Sequence, residues 1–218
     1  VQLLNETIRV TTFFDNVDAN DGLTSLREAV SEANSRDPGV VTEVVLGAGH
    51  YSLIHPSQLN ISGNVAIHGL GAEVTTIDLV SRVRAFNVQT NSILELRDLK
   101  VDGSEKPLYN DSGILRTLPQ QGGAIFNAGG TVNIHDSSFV GNETRNNEVY
   151  SRGDAGKMGT SESSFAVGHG GVIFNQAGAL NISGATFDNN ESWRGGAIAA
   201  QAGVVNIDSS VFSNNRVE

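Results

Sequence analysis

There is no cysteine in the chain, so disulfide staples and thiolate metal sites are excluded. Aromatic residues are scarce at 6% and glycines number 25, which together is not the balance of an ordinary globular domain. Basic clusters are missing and the formal net charge is −10, so nucleic acid and anionic membrane surfaces are not expected as partners. No apolar run approaches the ~20 residues of a membrane-spanning helix, so no membrane insertion by this segment is expected. What is present suits short stacked strands joined by tight turns, where glycine and asparagine accept positive φ. The length of 218 residues fits one domain or an elongated array of repeats.

A repeat dominates the second half. GGAIFNAGGTVNIHDSSFVGNE from Gly122, GGVIFNQAGALNISGATFDNNE from Gly170 and GGAIAAQAGVVNIDSSVFSNNR from Gly195 align along their whole length. The last two begin 25 residues apart and the first two 48 apart, one unit plus an insertion. In the second copy, residues 172–174, 180–182 and 185–187 are short alternating stretches bounded by Gly or Asn, too short for helices. Three strands and three turns per unit make one coil of a β-helix, with coils stacked at about 4.8 Å. The pattern predicts an all-β fold, a right-handed single-stranded parallel β-helix. Inward ladders are expected at Ile125, Ile173 and Ile198, at Ile134, Ile182 and Ile207, and at Phe139, Phe187 and Phe212. Asn142, Asn190 and Asn215 are expected to form a column at a turn, bonding to one another and to freed backbone. Fainter coils precede these at 44–54, 59–80 and 85–102, giving roughly six coils and about 30 Å of axis.

The first 42 residues differ. Ile8, Val10 and Thr12 alternate as an opening strand, and a polar loop follows at 15–22. Leu26, Ala29, Val30 and Ala33 then fall on one helical face, with Ser25 and Glu28 at capping-box spacing. A helix over about 25–34 is predicted, ended by Asn34 and the Asp37-Pro38-Gly39 turn. Its expected use is to cover the apolar interior and open strand edges of the first coil. A single domain is therefore expected over 1–218, with a cap at 1–42 and coils over 43–218. Loop insertions fall at about 103–121 and 143–169. The last coil carries no comparable lid. The natural protein is expected to continue beyond it, or that end to associate end-to-end with a partner.

Two motif sets resemble known families. Thr24-Ser25-Leu26-Arg27-Glu28-Ala29, followed by Asn34, resembles the CSLREA motif that opens many bacterial secreted β-helix proteins; Thr24 stands where the motif has Cys. Gly122–Ile125 with Phe139–Asn142, Gly170–Ile173 with Phe187–Asn190, and Gly195–Ile198 with Phe212–Asn215 resemble the polymorphic outer membrane protein repeats of chlamydiae. Val172 departs from the usual Ala. These resemblances imply a secreted or cell-surface bacterial protein, adhesin-like, within the wider pectin-lyase-like β-helix group.

The insertions are the leading candidate site. They leave the same corner of neighbouring coils, so in-register stacking places them side by side. They offer Tyr109, Arg116, Tyr150, Arg152 and His169, with Trp193 and Arg194 at that corner one coil later. Trp beside Tyr and Arg suits stacking on a sugar ring or anchoring a protein, so the expected partner is a glycan or a host or neighbour-cell surface protein. The plain alternative is decoration. Asp15, Asp18 and Asp21 are candidate Ca²⁺ ligands, although Val17 and Ala19 break EF-hand spacing and Asx turns explain them as well. No other cofactor is expected. Arg27 and Glu28 read as helix fastening.

The rival function is a polysaccharide lyase or glycoside hydrolase. A hydrolase needs paired carboxylates, and a lyase needs a base with Ca²⁺ or Arg to neutralise a uronate. Asp136 and Asp208 are expected at matching turn positions. Asp98 and Asp102 with Arg82, Arg84 and Lys100 form the expected acid-base group, and no catalytic signature surrounds them. A structural spacer within a large surface protein is the third reading.

Overall fold

A computed structural model of the chain describes residues 6–18, 20–37, 39–80, 84–104, 121–144 and 168–217. It opens with β1 (Glu6–Arg9), helix α1 (Leu26–Asn34), β2 (Thr42–Val45) and β3 (Gly49–Ser52). Two triplets follow, β4 (Leu59–Ile61), β5 (Asn64–His68) and β6 (Thr75–Asp78), then β7 (Phe86–Val88), β8 (Ile93–Arg97) and β9 (Lys100–Asp102). The repeat units supply β10 (Ile125–His135), β11 (Ser138–Val140), β12 (Ile173–Ser183), β13 (Thr186–Asp188) and β14 (Glu191–Ser192). The last unit adds β15 (Ile198–Ala200), β16 (Val204–Asp208), β17 (Val211–Ser213) and β18 (Arg216–Val217).

Three ladders are visited in turn. The first runs β1, β2, β5, β8, the second halves of β10 and β12, and β16. The second runs β4, β7, the first halves of β10 and β12, and β15. The third runs β3, β6, β9, β11, β13 and β17. All of these pairings are parallel, which is the arrangement of a parallel β-helix.

The expected inward ladders are observed. Ile125 pairs with Ile173 and Ile173 with Ile198; Ile134, Ile182 and Ile207 line up likewise, as do the three phenylalanines. The rings of Phe139 and Phe187 stack at 5.1 Å and those of Phe187 and Phe212 at 4.7 Å, both pairs nearly parallel. Ile125, Ile134, Phe139, Ile173 and Phe187 are essentially fully buried in one continuous core. On the last rung the inward-pointing Val205, Ile207 and Phe212 remain 37, 47 and 44% exposed.

Corners are closed by asparagine and glycine. Asn190 Oδ1 accepts from the Asn142 backbone N–H at 2.9 Å and from its amide at 3.2 Å, and Asn215 Oδ1 does the same for Asn190 at 3.0 and 2.8 Å. A second buried pair, Asn127 and Asn175, was not anticipated. Asn127 Oδ1 accepts from Gly129 and Gly130 N–H, and its amide donates to Asn175 Oδ1 at 2.7 Å. This lets β10 and β12 run through their corner without leaving backbone groups unbonded. The Gly-Gly signature has two causes. Gly122, Gly170 and Gly195 hold φ of +61, +65 and +67°, in the left-handed region. A Cβ on Gly123 would lie 2.1 Å from Gly171 O, and one on Gly171 the same distance from Gly196 O. The second glycine is therefore required by close approach of the next rung. One sequence expectation is corrected by register: Asp208 pairs with Ser183 and so with His135, whereas Asp136 lies one residue later. The two acids do not share a turn position.

Helix α1 is capped as its sequence predicts. Ser25 accepts from the Glu28 N–H, and the Glu28 carboxylate accepts from Ser25 and Asp18 N–H. Leu26, Ala29, Val30 and Ala33 are buried in the common core, and α1 packs on β1, β2, β4 and β5. Asn34 fastens its C-terminal end, accepting from Ser62 and Gly63 N–H and donating to Asn60 O. Arg27 clamps Asp15 through Nε at 2.7 Å and Nη2 at 2.9 Å, and Asp15 also accepts from His55 N–H. Burial pushes the Asp15 carboxyl up, but the Arg27 and backbone hydrogen bonds and the Arg27 charge outweigh it and hold it below the usual carboxylate range.

Two stability outcomes follow from this packing. Phe187→Ala removes the middle ring of the stack and is expected to cost about 3–5 kcal/mol in urea unfolding; a melting temperature within a degree of wild type would place Phe187 outside the core. Arg27→Ala strands the buried Asp15 charge and is expected to cost about 3 kcal/mol near neutral pH. Because Asp15 binds its proton less tightly folded than unfolded, the pair stabilises above the ordinary carboxylate pKa. That contribution is lost as pH falls through the lower folded value. The Arg27→Ala penalty should shrink in acid, and a pH-independent penalty would mean that the ion pair is not its source.

Candidate functional site

Three successive rungs are aligned at one corner by Gln121, His169 and Arg194. These residues form parallel bridges, Gln121 to His169 and His169 to Arg194. Gly122 N–H donates to His169 O and Gly170 N–H to Arg194 O, both at 2.8 Å, and Arg194 N–H donates to Gly168 O at 3.0 Å. The glycine pairs that follow fix the approach of successive rungs, so the three side chains descend the same edge. Trp193 is 42% exposed, Arg194 is exposed and His169 is half-buried.

An aromatic and cationic line runs from here along the outside of the second ladder. The His169 ring lies 5.3 Å from Phe174, Phe174 lies 5.8 Å from Phe126, and the Arg84 guanidinium stands 4.8 Å from the Phe126 centroid. Phe126 and Phe174 are the outward residues between inward neighbours, Ile125 and Asn127 in one rung and Ile173 and Asn175 in the next. Phe174 is nearly covered, and Phe126 and Arg84 are half-buried. Arg84 donates to Gln121 O, Gly122 O and Gln58 Oε1, and burial pushes its pKa down to about 10. Burial, then the Arg194 charge, pushes the His169 imidazole below its usual value. The corner therefore presents an exposed indole, an imidazole and guanidinium donors. These groups suit a ring-bearing polar ligand.

Of the residues that sequence nominated, His169, Trp193 and Arg194 are brought together. Tyr109, Arg116, Tyr150 and Arg152 lie outside the described residues. Phe126 and Phe174 were missed as site residues, although the alternation of Ile125-Phe126-Asn127 and Ile173-Phe174-Asn175 carried the signal for both rings, and Arg84 was assigned to a different group.

The three nominated calcium ligands have other partners. Both Asp15 oxygens face Arg27, Asp18 Oδ1 accepts from Asn20 N–H at 3.0 Å, and Asp21 accepts from Leu23 N–H and the Asn16 amide. The last two acids close Asx turns. Among the described residues no group of three His, Asp or Glu side chains is arranged to hold a metal ion.

Of the expected acid-base group around Asp98 and Asp102, Lys100 stands 3.5 Å from Asp102 on the third ladder, Arg84 sits at the aromatic line instead, and Arg82 lies outside the described residues. A different group stands on the outer face of the first ladder. His68, Arg97 and His135 occupy one row on successive rungs, beside Glu95. Arg97 donates to Glu95 Oε1 through Nη2 at 2.8 Å and Nε at 3.2 Å, and His68 Nε2 lies 3.5 Å from the same oxygen. His135 Nδ1 is 2.8 Å from Ser183 Oγ. Burial raises the Glu95 carboxyl, yet the hydrogen bond and charge of Arg97, with His135 and His68, bring it below its usual value.

No known protein family matches the chain by sequence. Nor does any curated protein. Among solved structures the chain is similar to a PL6 family alginate lyase, AlyGC, at 11% identity and a TM-score of 0.47, over 96% of this chain and 28% of that one. A point mutant of the same lyase gives 12% identity and a TM-score of 0.46, over 97% of this chain and 29% of that one. The chain thus spans under a third of those lyases. Among the described residues no helix is long and apolar enough to cross a membrane.

Metal removal offers a direct check on the acidic loop. Dialysis against EDTA is expected to leave the melting temperature unchanged, because Asp15, Asp18 and Asp21 already meet protein donors. A drop of several degrees would show that a cation stabilises this loop.

Proposed function

We propose that the chain winds as a right-handed parallel β-helix of about six coils, with α1 capping the first coil. In this reading it is secreted or displayed on a bacterial surface and binds a carbohydrate through the corner of His169, Trp193 and Arg194. The observation that carries this is Trp193. It is the only tryptophan in a chain poor in aromatics, and it stands 42% exposed on a rigid corner beside a guanidinium and an imidazole. An indole left partly in water gains from the C–H face of a sugar ring, while Arg194 and His169 meet its hydroxyls.

A polysaccharide lyase is the second reading, supported by the imidazoles and guanidinium on the outer face of the first ladder. It ranks below binding because Arg97 is already held by Glu95, and so is not free to neutralise a substrate carboxylate.

Glycan-array binding of wild type and Trp193→Ala is the test. The variant is expected to keep the wild-type melting temperature within a degree or two and to lose about tenfold in affinity. Equal binding by both proteins would reject the corner. Unsaturated sugar ends appearing in the same incubations would move the lyase reading ahead.

A further inference from the structure

Four arginines of the described chain are matched to acids. Arg27 holds Asp15, Arg36 holds Glu6 and Glu32, Arg97 holds Glu95 and Arg216 holds Glu191. Arg84 and Arg194 are different. Among the described residues neither has a carboxylate within ion-pair distance, and Arg84 meets only neutral acceptors, Gln121 O, Gly122 O and Gln58 Oε1. The one other unmatched arginine of the described set, Arg9, lies on β1, away from this corner. Acids outnumber Lys and Arg 24 to 14 in this chain, so chance alone would leave carboxylates unmatched before guanidiniums. Two unmatched guanidiniums nevertheless stand at the two ends of one aromatic line, Arg84 over Phe126 and Arg194 beside His169 and Trp193.

We propose, building on the carbohydrate reading of this corner, that its ligand is an acidic saccharide, a chain of uronate residues running along the helix axis. A sugar ring lies on Trp193, one carboxylate pairs with Arg194, and a carboxylate further along the chain pairs with Arg84. The spacing suits this. The line from Arg84 on the β7 rung to Arg194 on the β15 rung crosses three inter-rung steps, about 14 Å, long enough for more than one sugar unit. Arg84 is also pre-oriented, since backbone carbonyls and the Phe126 face fix its plane, and little ordering remains to be done on binding. A neutral glycan would meet the rings and leave both guanidiniums without an anion. An acidic peptide would meet the guanidiniums and leave the indole without a flat partner.

The experiment is calorimetric titration with oligomers of galacturonate, glucuronate and mannuronate, each beside its carboxyl-reduced neutral form. Wild type, Trp193→Ala, Arg194→Gln and Arg194→Lys are compared. Wild type is expected to bind at least one uronate oligomer, with affinity falling as salt is raised. Carboxyl reduction should weaken that binding about tenfold or more, the share of a charge-assisted hydrogen bond. Arg194→Gln should weaken binding of the uronate oligomer by a similar factor and leave binding of the reduced form alone, with partial recovery in Arg194→Lys. Trp193→Ala should weaken both. Equal affinity for uronate and reduced oligomers, with Trp193→Ala still weakening both, overturns the charge assignment and leaves the corner standing. Binding that is indifferent to Trp193→Ala, or absent for every oligomer, overturns the corner itself. Polyglutamate bound as tightly as the uronates overturns the saccharide assignment in favour of a general acidic partner.

Discussion

Everything in this molecule depends on register between parallel rungs. The inward side chains fill the core only when each sits over its equivalent in the next rung, and a slip of one residue would turn isoleucines outward and asparagines off their partners. Apolar contact alone tolerates such slips. The buried amides do not. Asn142 directs both its backbone N–H and its side-chain N–H at Asn190 Oδ1, and Asn190 does the same toward Asn215. Moving a rung leaves several buried donors without acceptors, each costing about 1–3 kcal/mol. The glycine pairs serve the same constraint from the steric side, since no side chain fits where Gly123 faces Gly171 O.

That constraint also makes the corner. A repeat unit can carry any length of insertion, provided the chain returns to the winding at the right place. Bridges between Gln121, His169 and Arg194 keep rung order at this corner although 48 residues separate the first two and 25 the last two. Side chains next to these bridges are thereby set in a column by the same hydrogen bonds that hold the sheet. Trp193 stands out of the core on a backbone fixed by Gly170 N–H and Gly168 O on either side of Arg194. Rigid backbone below and solvent above is the condition under which a ring can bind without first being ordered.

The winding was legible because its signals are local and repeated: alternation, Gly-Gly, and asparagine at fixed offsets. The helix was legible for the same reason, down to Ser25 and Glu28. Half of the corner was legible, since His169, Trp193 and Arg194 follow from aligned rungs. The rest was hidden by distance along the chain. Arg84 reaches the corner from the rung before the repeats begin, and nothing near it in sequence points there. The group of His68, Glu95, Arg97 and His135 gathers residues from three rungs in a row that only true register reveals. Asn127 and Asn175 were overlooked for another reason. Period-two alternation places them inward, but a polar residue inside a strand is read as a surface residue until its partners, the donating Gly129 and Gly130 N–H among them, are known.

The two polar groups on the outside of this protein differ in one respect that separates structure from recognition. On the first ladder, Glu95 lies between Arg97 and two imidazoles, so opposite charges meet within the protein and leave little field for a ligand to complete. At the corner Arg84 has carbonyls and the Phe126 ring as neighbours. A guanidinium drawn partly out of water without an anion is an unfinished interaction, and the partial burial of Arg84 makes it the more so. In a chain of net charge −10 the overall field repels anions, so an acidic ligand would be admitted only where local cations outweigh it. Among the described residues the corner is where two such cations flank one line of rings. Specificity there would come as much from the repulsive remainder of the surface as from the contacts themselves.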